Sequence, residues 1–146
     1  MGLFPVFDVP RMIEPNKEPN NKLKESIYFD FEKGDFVLDD GGTLQTATPY
    51  DTWVQWCLKT VYTQRWSCLA YSDQVGVEME EAFSQNDRKA QQRYLETTIR
   101  DALLSDPYKR TKRVYDFEFD WGADILEVTF VVEGVWKQSA TLTVKY

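Results

Sequence analysis

The stretch Tyr115-Asp116-Phe117-Glu118-Phe119-Asp120-Trp121 alternates large aromatic side chains with carboxylates. Because successive side chains of a β-strand point to opposite faces, this period of two predicts a strand with one buried and one solvated face. Turn residues at 122–124 and at Gly134 separate it from two more alternating runs. The apolar members of those runs are Leu126, Val128, Phe130 and Val132, then Ala140, Leu142, Val144 and Tyr146. The sequence therefore predicts a three-stranded C-terminal meander.

Helical signals precede the meander. Thr48-Pro49-Tyr50-Asp51 is typical of a helix start, with a threonine cap and proline at the first helical position, and this helix is expected to run to about Gln64. A short acidic helix is expected between Gly76 and Phe83, and a longer one from about Asp87 to Leu104. The predicted buried stripes comprise Val54, Leu58, Val61 and Tyr62, widened by Trp53 and Cys57, and then Leu95, Ile99, Ala102 and Leu103.

The N-terminal part predicts a hairpin and an arm. Residues 27–32 alternate, 33–35 form a turn, and Phe36-Val37-Leu38 returns as a short strand. The predicted fold class is α+β, with an N-terminal β-hairpin and two to three helices packed on a mainly antiparallel sheet that ends in the meander. Residues 27–146 are expected to form a single domain. Residues 1–26 are expected to be a Pro-rich extended arm, which packs either on its own domain or on a neighbouring subunit.

The composition and charge of the chain argue against several classes of function. The 146-residue chain has a net charge of −7 and no basic face, which argues against a nucleic-acid partner. A basic run at 109–113 is interpreted as a solvated turn after the preceding helix. No apolar run approaches the ~20 residues of a membrane span, and the N-terminus lacks the pattern of a signal peptide, so a soluble chain made in the cytosol is expected. No cofactor is expected, and the absence of histidine excludes Ser-His-Asp catalysis and His-ligated zinc within this chain.

Carboxylates provide the one catalytic alternative. Glu78, Glu80 and Glu81 cluster near Gly76, and acidic residues line the strand at 115–121. A glycosidase needs two carboxylates about 5–10 Å apart in different environments. These carboxylates all have the pattern of solvated side chains, so a carboxylate-based peptidoglycan hydrolase is the alternative function rather than the first.

Two segments have the character of interaction sites. Arg65 follows the first helix and is surrounded in sequence by Trp66, Leu69 and Tyr71. It is either a cap for the last carbonyls of the helix or a planar fork for a partner's carboxylate or backbone. The last strand runs to the final residue of the sequence, so it is expected to be an edge strand to which another chain can add a strand. The partner-binding residues predicted from these features are Arg65, Thr141, Leu142, Thr143, Val144 and Lys145.

The order of these motifs resembles a known family. A hairpin at 29–36 precedes a Trp-containing helix that ends in Thr63-Gln64-Arg65, and Tyr71-Ser72, Gly76 and a β-rich C-terminus follow. This resembles the XkdS-like baseplate proteins of contractile phage tails and tail-derived bacteriocins, over roughly residues 27–146. These are relatives of the wedge protein that initiates the sheath in myophages and of the type VI secretion wedge subunit.

The resemblance implies a structural, non-enzymatic role. Members link the baseplate wedge to the central tube and present strands on which the first sheath ring builds. The implied partners are other wedge proteins, tube or hub proteins and the tail sheath, with six copies in a particle assembled in the host cytoplasm. Many members carry an acidic residue before the arginine that ends the first helix, in a position that docks against the wedge. Here that position is Thr63-Gln64-Arg65, with Gln64 in place of the acid, so the resemblance adds Thr63 and Gln64 to the predicted partner-binding residues.

Overall fold

The computed structural model describes residues 26–146. All but the last residue of the predicted arm, residues 1–26, lies outside them. Four two-residue strands come first: β1 (Ser26–Ile27), β2 (Phe29–Asp30), β3 (Asp35–Phe36) and β4 (Thr46–Ala47). β2 and β3 form the predicted hairpin, and β1 pairs with β4. Asp30 and Asp39 stabilise the intervening turns by accepting hydrogen bonds from backbone N–H groups.

Three helices follow, near the predicted positions. They are α1 (Pro49–Tyr62), α2 (Met79–Phe83) and α3 (Arg88–Leu104). The Thr48 hydroxyl caps α1 by accepting from the N–H of Asp51 at 3.1 Å, and the Asp87 carboxylate caps α3 by accepting from the N–H of Ala90 at 2.7 Å. The prediction for α3 was confirmed, since its four predicted core residues are buried. The buried stripe of α1 comprises Trp53, Cys57, Thr60 and Val61, so Val54 and Leu58 are only partly buried and Tyr62 is exposed.

The C-terminal sheet has the order β5-β6-β7, formed by β5 (Thr111–Trp121), β6 (Leu126–Gly134) and β7 (Ser139–Lys145), with both pairs antiparallel. Both alternating patterns predicted for β6 and β7 were confirmed. In β5 the prediction was wrong at Tyr115. A β-bulge lies between Tyr115 and Glu118, where Asp116 has a φ of 56°. The extra residue reverses the parity, so Val114 points to the core and Tyr115 pairs with Val131 on the other face.

One face of this sheet packs on the helices. α3 packs beside β5, α1 packs beside β7, and the two helices contact each other. The core contains Trp53, Leu95, Ile99, Phe130 and Val144 among its buried side chains, and Phe117 stacks on Phe130 with 5.3 Å between ring centroids. This two-layer arrangement confirms the α+β class.

The basic run at 109–113 differs from its prediction as a solvated turn. Arg110 is buried, and its guanidinium donates to both carboxylate oxygens of Asp106, at 2.8 and 3.2 Å. Asp106 also accepts from the backbone N–H groups of Tyr108 and Arg110. Because the carboxylate is fully enclosed, this ion pair shapes the turn that joins α3 to β5. None of the helices within residues 26–146 has the length and apolar character needed to cross a membrane.

Candidate functional site

The terminal strand β7 lies at an edge of its sheet, as predicted. Leu126 and Tyr146 exchange both of their backbone hydrogen bonds, at 3.0 and 2.9 Å. Hydrogen-bonded and non-bonded residue pairs alternate along an antiparallel ladder. Every second residue of β7 therefore bonds to β6, and the backbone N–H and C=O groups of the residues between them point away from β6. The residues that point away are Ser139, Thr141, Thr143 and Lys145. The backbone N–H and C=O groups of Thr141, Thr143 and Lys145 therefore face the open edge of the sheet.

The predicted β7 residues thus separate into two sets. Thr141, Thr143 and Lys145 are exposed, and their N–H and C=O groups form the open row. Leu142 and Val144 are buried in the core and their backbone groups pair with β6. The exposed face of the sheet continues across β6, where the hydroxyls of Thr129 and Thr143 lie 3.1 Å apart.

Two tyrosines fix both ends of β7 to helix α1. The Tyr50 hydroxyl donates to the carbonyl of Ser139 at 3.1 Å, and the Tyr146 hydroxyl donates to the carbonyl of Val61 at 2.8 Å. Burial raises the pKa of the Tyr146 phenol, with a smaller contribution from Tyr62. Because α1 supports both ends, the open row between them is held straight on a rigid base.

Arg65 is engaged within the chain. Its Nε donates to the carbonyl of Asp73 at 2.5 Å, and its Nη1 donates to Glu78 at 3.0 Å. The other carboxylate oxygen of Glu78 accepts from the Tyr94 hydroxyl at 2.6 Å, and this hydrogen bond raises the pKa of Tyr94, with burial adding to it. The guanidinium also lies over the Trp66 ring, 4.8 Å from its centroid. Arg65 therefore connects the start of the following loop to its end.

Gln64 and Thr63 also have internal partners. The Gln64 side-chain oxygen accepts from the N–H groups of Met79 at 3.0 Å and Glu80 at 3.3 Å, the first residues of α2. Thr63 is the C-cap residue of α1, and its hydroxyl donates to the carbonyl of Lys59 at 2.6 Å. An amide oxygen at position 64 thus satisfies helix N–H groups that an acidic residue could equally satisfy.

Residues 66–75 form a loop, here called the tip loop, whose two ends are closed by a short parallel bridge. The N–H of Val77 donates to the carbonyl of Thr63 at 2.8 Å, and the N–H of Arg65 donates to the carbonyl of Val77 at 3.0 Å. Gly76 permits this approach, since its φ is 101° and a Cβ there would lie 2.7 Å from the Thr63 carbonyl oxygen.

The tip loop presents apolar side chains to solvent. Leu69 is fully exposed, Trp66 is 57% exposed, and Tyr71 is also exposed. The Lys59 ammonium lies 5.2 Å from the Tyr71 ring centroid. The sequence predicted the interaction at the Arg65 fork, whereas the structure engages Arg65 within the chain and exposes the neighbouring side chains. The signal that could have identified them was three large apolar residues beside Gly76 without helical or strand periodicity.

Two candidate catalytic carboxylates, Glu78 and Glu118, have different surroundings. Glu78 faces a cleft beside α3, where Arg65 and Tyr94 occupy both of its oxygens. Glu118 lies on the exposed face of β5. No group of three or more Cys, Asp or Glu side chains within residues 26–146 is arranged to hold a metal ion.

Residues 25–135 match the family model of the contractile injection system sheath initiator. This match spans most of the chain and includes the hairpin, all three helices, the tip loop and the first two strands of the meander. The chain belongs to the sheath initiator family. The resemblance drawn from the motif order is thereby confirmed. No curated protein matches the sequence.

As a member of the sheath initiator family, the protein has a role in starting the sheath of a contractile injection system, together with sheath and baseplate components. The family is a structural one, which agrees with a non-enzymatic role. The matched residues include the whole tip loop and end before β7 begins at Ser139.

Proposed function

We propose that this sheath initiator templates the first sheath ring by strand addition along β7, while the tip loop and its base dock on the baseplate wedge. The open row of N–H and C=O groups at Thr141, Thr143 and Lys145 carries the first half of the proposal. Main-chain hydrogen bonds to an added strand supply affinity whatever the partner's sequence, and the alternating side chains set the register.

The residues at this edge favour the addition of a strand from a sheath subunit over pairing between two copies of this chain. Lys145 and the threonines on the exposed face are typical of edge strands that avoid pairing with identical copies. The edge is short, which limits pairing to a few hydrogen bonds. A strand presented by a sheath subunit in a fixed orientation would add to it without competing with the core, since Leu142 and Val144 already pack against the helices.

Thr143→Pro tests the strand-addition proposal. Proline removes the outward N–H of residue 143, and no bond to β6 is lost because that group points away from β6. We expect complete baseplates without sheath in electron micrographs of the assembled particles. Deletion of 139–146 is a poorer test, because it would remove buried side chains and unfold the sheet.

Two further variants distinguish the effect of the backbone N–H from the effect of the side chain. Thr143→Val keeps the N–H and the strand propensity, so sheathed tails should form normally. Thr141→Pro removes the next outward N–H and should act like Thr143→Pro; it also serves if the first variant folds poorly, as judged by thermal unfolding. Sheathed tails of normal length with folded proline variants would refute strand addition.

For the wedge, we propose that Thr63, Gln64 and Arg65 form the base of the docking surface and that Trp66, Leu69 and Tyr71 contact the partner. Exposed aromatic and aliphatic side chains on a rigid support are the usual anchors of protein interfaces. The support comes from the bonds of Arg65 to Asp73 and Glu78, which fix the loop before any partner is present.

Cys68 provides a probe within the tip loop. It is exposed, whereas Cys57 is buried, with its pKa raised by burial to about 12. A bulky maleimide should therefore label Cys68 alone, and we expect the labelled protein to lose co-purification with wedge partners. The Cys68→Ser variant, treated in the same way, should keep it. Unchanged co-purification of fully labelled protein would contradict docking by the tip loop.

The remaining parts of the proposal follow the family resemblance. Residues 27–146 act as a single domain present in six copies, one for each wedge, and join the wedge to the central tube in particles assembled in the host cytoplasm. The β7 edge and the tip loop, both supported by α1, fit a subunit that is joined to two neighbours at once. Native mass spectrometry of isolated baseplates would test the copy number.

We propose that the protein works without a catalytic centre. Glu78 bridges Arg65 and Tyr94, and the strand carboxylates are exposed, so neither Glu78 nor the β5 carboxylates have the unpaired, apolar setting of a general acid. Purified protein should not release soluble fragments from peptidoglycan. Release that is lost in Glu78→Gln or Glu118→Gln would restore the hydrolase alternative.

A further inference from the structure

A groove lies between the N-terminal strands and helix α1. It has a volume of about 600 Å³ and is walled by Ile27, Phe29 and Phe36 on one side and by Trp56 and Tyr108 on the other. Its floor includes the buried Arg110, whose guanidinium lies 5.5 Å from the Trp56 ring centroid. The groove thus combines aromatic walls with a few polar groups, the character of a peptide-binding site.

Apolar side chains that line this groove are exposed to solvent. Phe36 is 50% exposed and Ile27 is 43% exposed, and they are neighbours in one patch. A contiguous apolar patch bordered by polar residues marks a surface that something covers. Here Lys59 and Gln55 supply the polar border.

The chemistry of the segment that precedes Ser26 fits this groove. Residues 3–13 contain seven apolar residues together with Pro5 and Pro10. Proline-containing apolar peptides are bound in grooves lined by aromatic rings, because their backbone loses little entropy on binding. Ser26, where the described chain begins, itself lines the groove.

We propose that residues 3–13 of the same chain bind in this groove. Ile13 precedes Ser26 by thirteen residues, so the connection can extend up to about 43 Å, ample for the chain to turn back along the groove. A tether of that length gives an effective concentration of order mM, well above the concentration of a second copy in solution. Of the two placements open from the sequence, the groove favours the chain's own domain.

Photo-crosslinking of the full-length purified protein tests this inference. Benzoylphenylalanine at Phe36 lines the groove, and the same group at Leu38, which is 59% exposed on the neighbouring segment, is the matched control. We expect peptides from residues 1–25 to crosslink to position 36 and to be at least fivefold weaker at position 38. Crosslinks from position 36 only to other parts of the chain would overturn the proposal.

Isotope mixing identifies the donor chain. In an equal mixture of ¹⁵N-labelled and unlabelled protein, binding within one chain gives only light–light and heavy–heavy crosslinks. Mixed pairs would show that a second copy supplies the segment and would overturn the assignment to the same chain. The double variant Phe4→Ser/Phe7→Ser should lower the yield at position 36 by at least fivefold, whereas Asp8→Asn should not.

The outcome is independent of the sheath and wedge proposals, because it is measured on protein without partners. A yield that stays unchanged in Phe4→Ser/Phe7→Ser would overturn recognition of the apolar residues even if the crosslinks themselves form.

Discussion

Two arginine–carboxylate pairs in this protein have opposite environments. Arg110 and Asp106 are almost completely buried at the turn between α3 and β5, with side-chain exposures of 5% and 0%. Arg65 and Glu78 lie at the base of the tip loop and remain 27% and 18% exposed. In both pairs the arginine also lies against a tryptophan ring, Trp56 for Arg110 and Trp66 for Arg65.

The difference indicates what each pair does. All the partners of Asp106 lie within four residues, so that pair fixes a connection on which the packing of the sheet depends. Arg65 bonds to the chain eight and thirteen residues later, so it fixes the shape of a loop whose own side chains remain in solvent. The buried pair therefore maintains the fold, and the half-exposed pair maintains a surface. Five predictions test this distinction, in order of expected size.

The largest effect is expected for Arg110→Ala. Removing the guanidinium leaves the Asp106 carboxylate enclosed without its counter-ion, and breaking a buried pair in this way costs about 3–5 kcal/mol. Guanidinium chloride unfolding followed by tryptophan fluorescence would measure the loss. A loss below about 1 kcal/mol, the value of an exposed pair, would show that the buried pair does not maintain the fold.

Gly76→Ala should come next. The added Cβ would lie 2.7 Å from the carbonyl oxygen of Thr63 at a φ of 101°, so a cost of about 2–3 kcal/mol is expected. Gly42→Ala is the control, because its φ is 77° but no atom lies within 4 Å of the new Cβ. It should cost only about 1–2 kcal/mol, the strain of the left-handed conformation. Equal losses would mean that the closure of the tip loop tolerates the side chain.

Alkaline pH should weaken the buried region more than the tip loop. The pKa of Cys57 is raised to about 12, by burial first and then by the charge of Asp106. The unfolded thiol ionises near pH 8.5, so stability is complete below that pH and falls as the pH rises toward 12.

We expect a loss of about 1–2 kcal/mol between pH 8 and pH 10 from this thiol. The measurement is urea unfolding at both pH values for the natural protein and for Cys57→Ala. The variant should lose less over the same interval, although the raised pKa values of Tyr50 and Tyr146 leave part of the slope in place. Identical slopes would contradict the enclosure of Cys57.

Arg65→Ala should cost about 1–2 kcal/mol of stability, less than Arg110→Ala, because water partly screens the charged hydrogen bond between Arg65 and Glu78. Its larger effect should be on the loop. Chymotrypsin should cleave after Trp66, Leu69 or Tyr71 several-fold faster than in the natural protein, and wedge co-purification should fall. Arg65→Lys keeps the charge without the fork, and intermediate cleavage is expected. Unchanged cleavage in Arg65→Ala would show that Arg65 does not position the tip loop.

The smallest effect is expected for Gln64→Glu. A carboxylate at this position would accept the same two N–H groups of α2 and add the attraction of a negative charge to a helix N-terminus, a gain of about 0.3–1 kcal/mol at pH 7. The pKa of the new carboxyl would be lowered by folding, so the gain is present above about pH 4.3 and disappears as the pH falls through the folded pKa. Thermal unfolding at pH 7 and pH 3.5 would measure it. Destabilisation at pH 7 would exclude this capping role.

The sequence predicted the regular elements well because local signals and burial agreed there. Thr48 and Asp87, residue types that favour helix N-caps, cap α1 and α3. The alternating apolar residues of β6 and β7 lie on the buried face of the sheet. Side-chain period and capping chemistry are properties of neighbouring residues, so they can be read without knowledge of distant contacts.

The failures all involve contacts between distant parts of the chain or a change in backbone geometry. Tyr115 was assigned to the core because a bulge at Asp116 leaves no trace in an alternating pattern. The buried stripe of α1 is shifted from the predicted one because β7 and α3 pack against a different side of the helix. Arg110 was predicted in solvent, because nothing near it in the sequence indicates that the distant Trp56 would cover it.

The sequence by itself determined the class of fold, the alternating faces of β6 and β7 and the family to which the chain belongs, because these follow from periodicity, caps and motif order. Only the tertiary structure decided which groups are available to a partner. Arg65 is used internally, while Leu69 and the outward backbone of Thr143 are open. Availability depends on what packs against each group, and that packing is formed by residues far apart in the sequence.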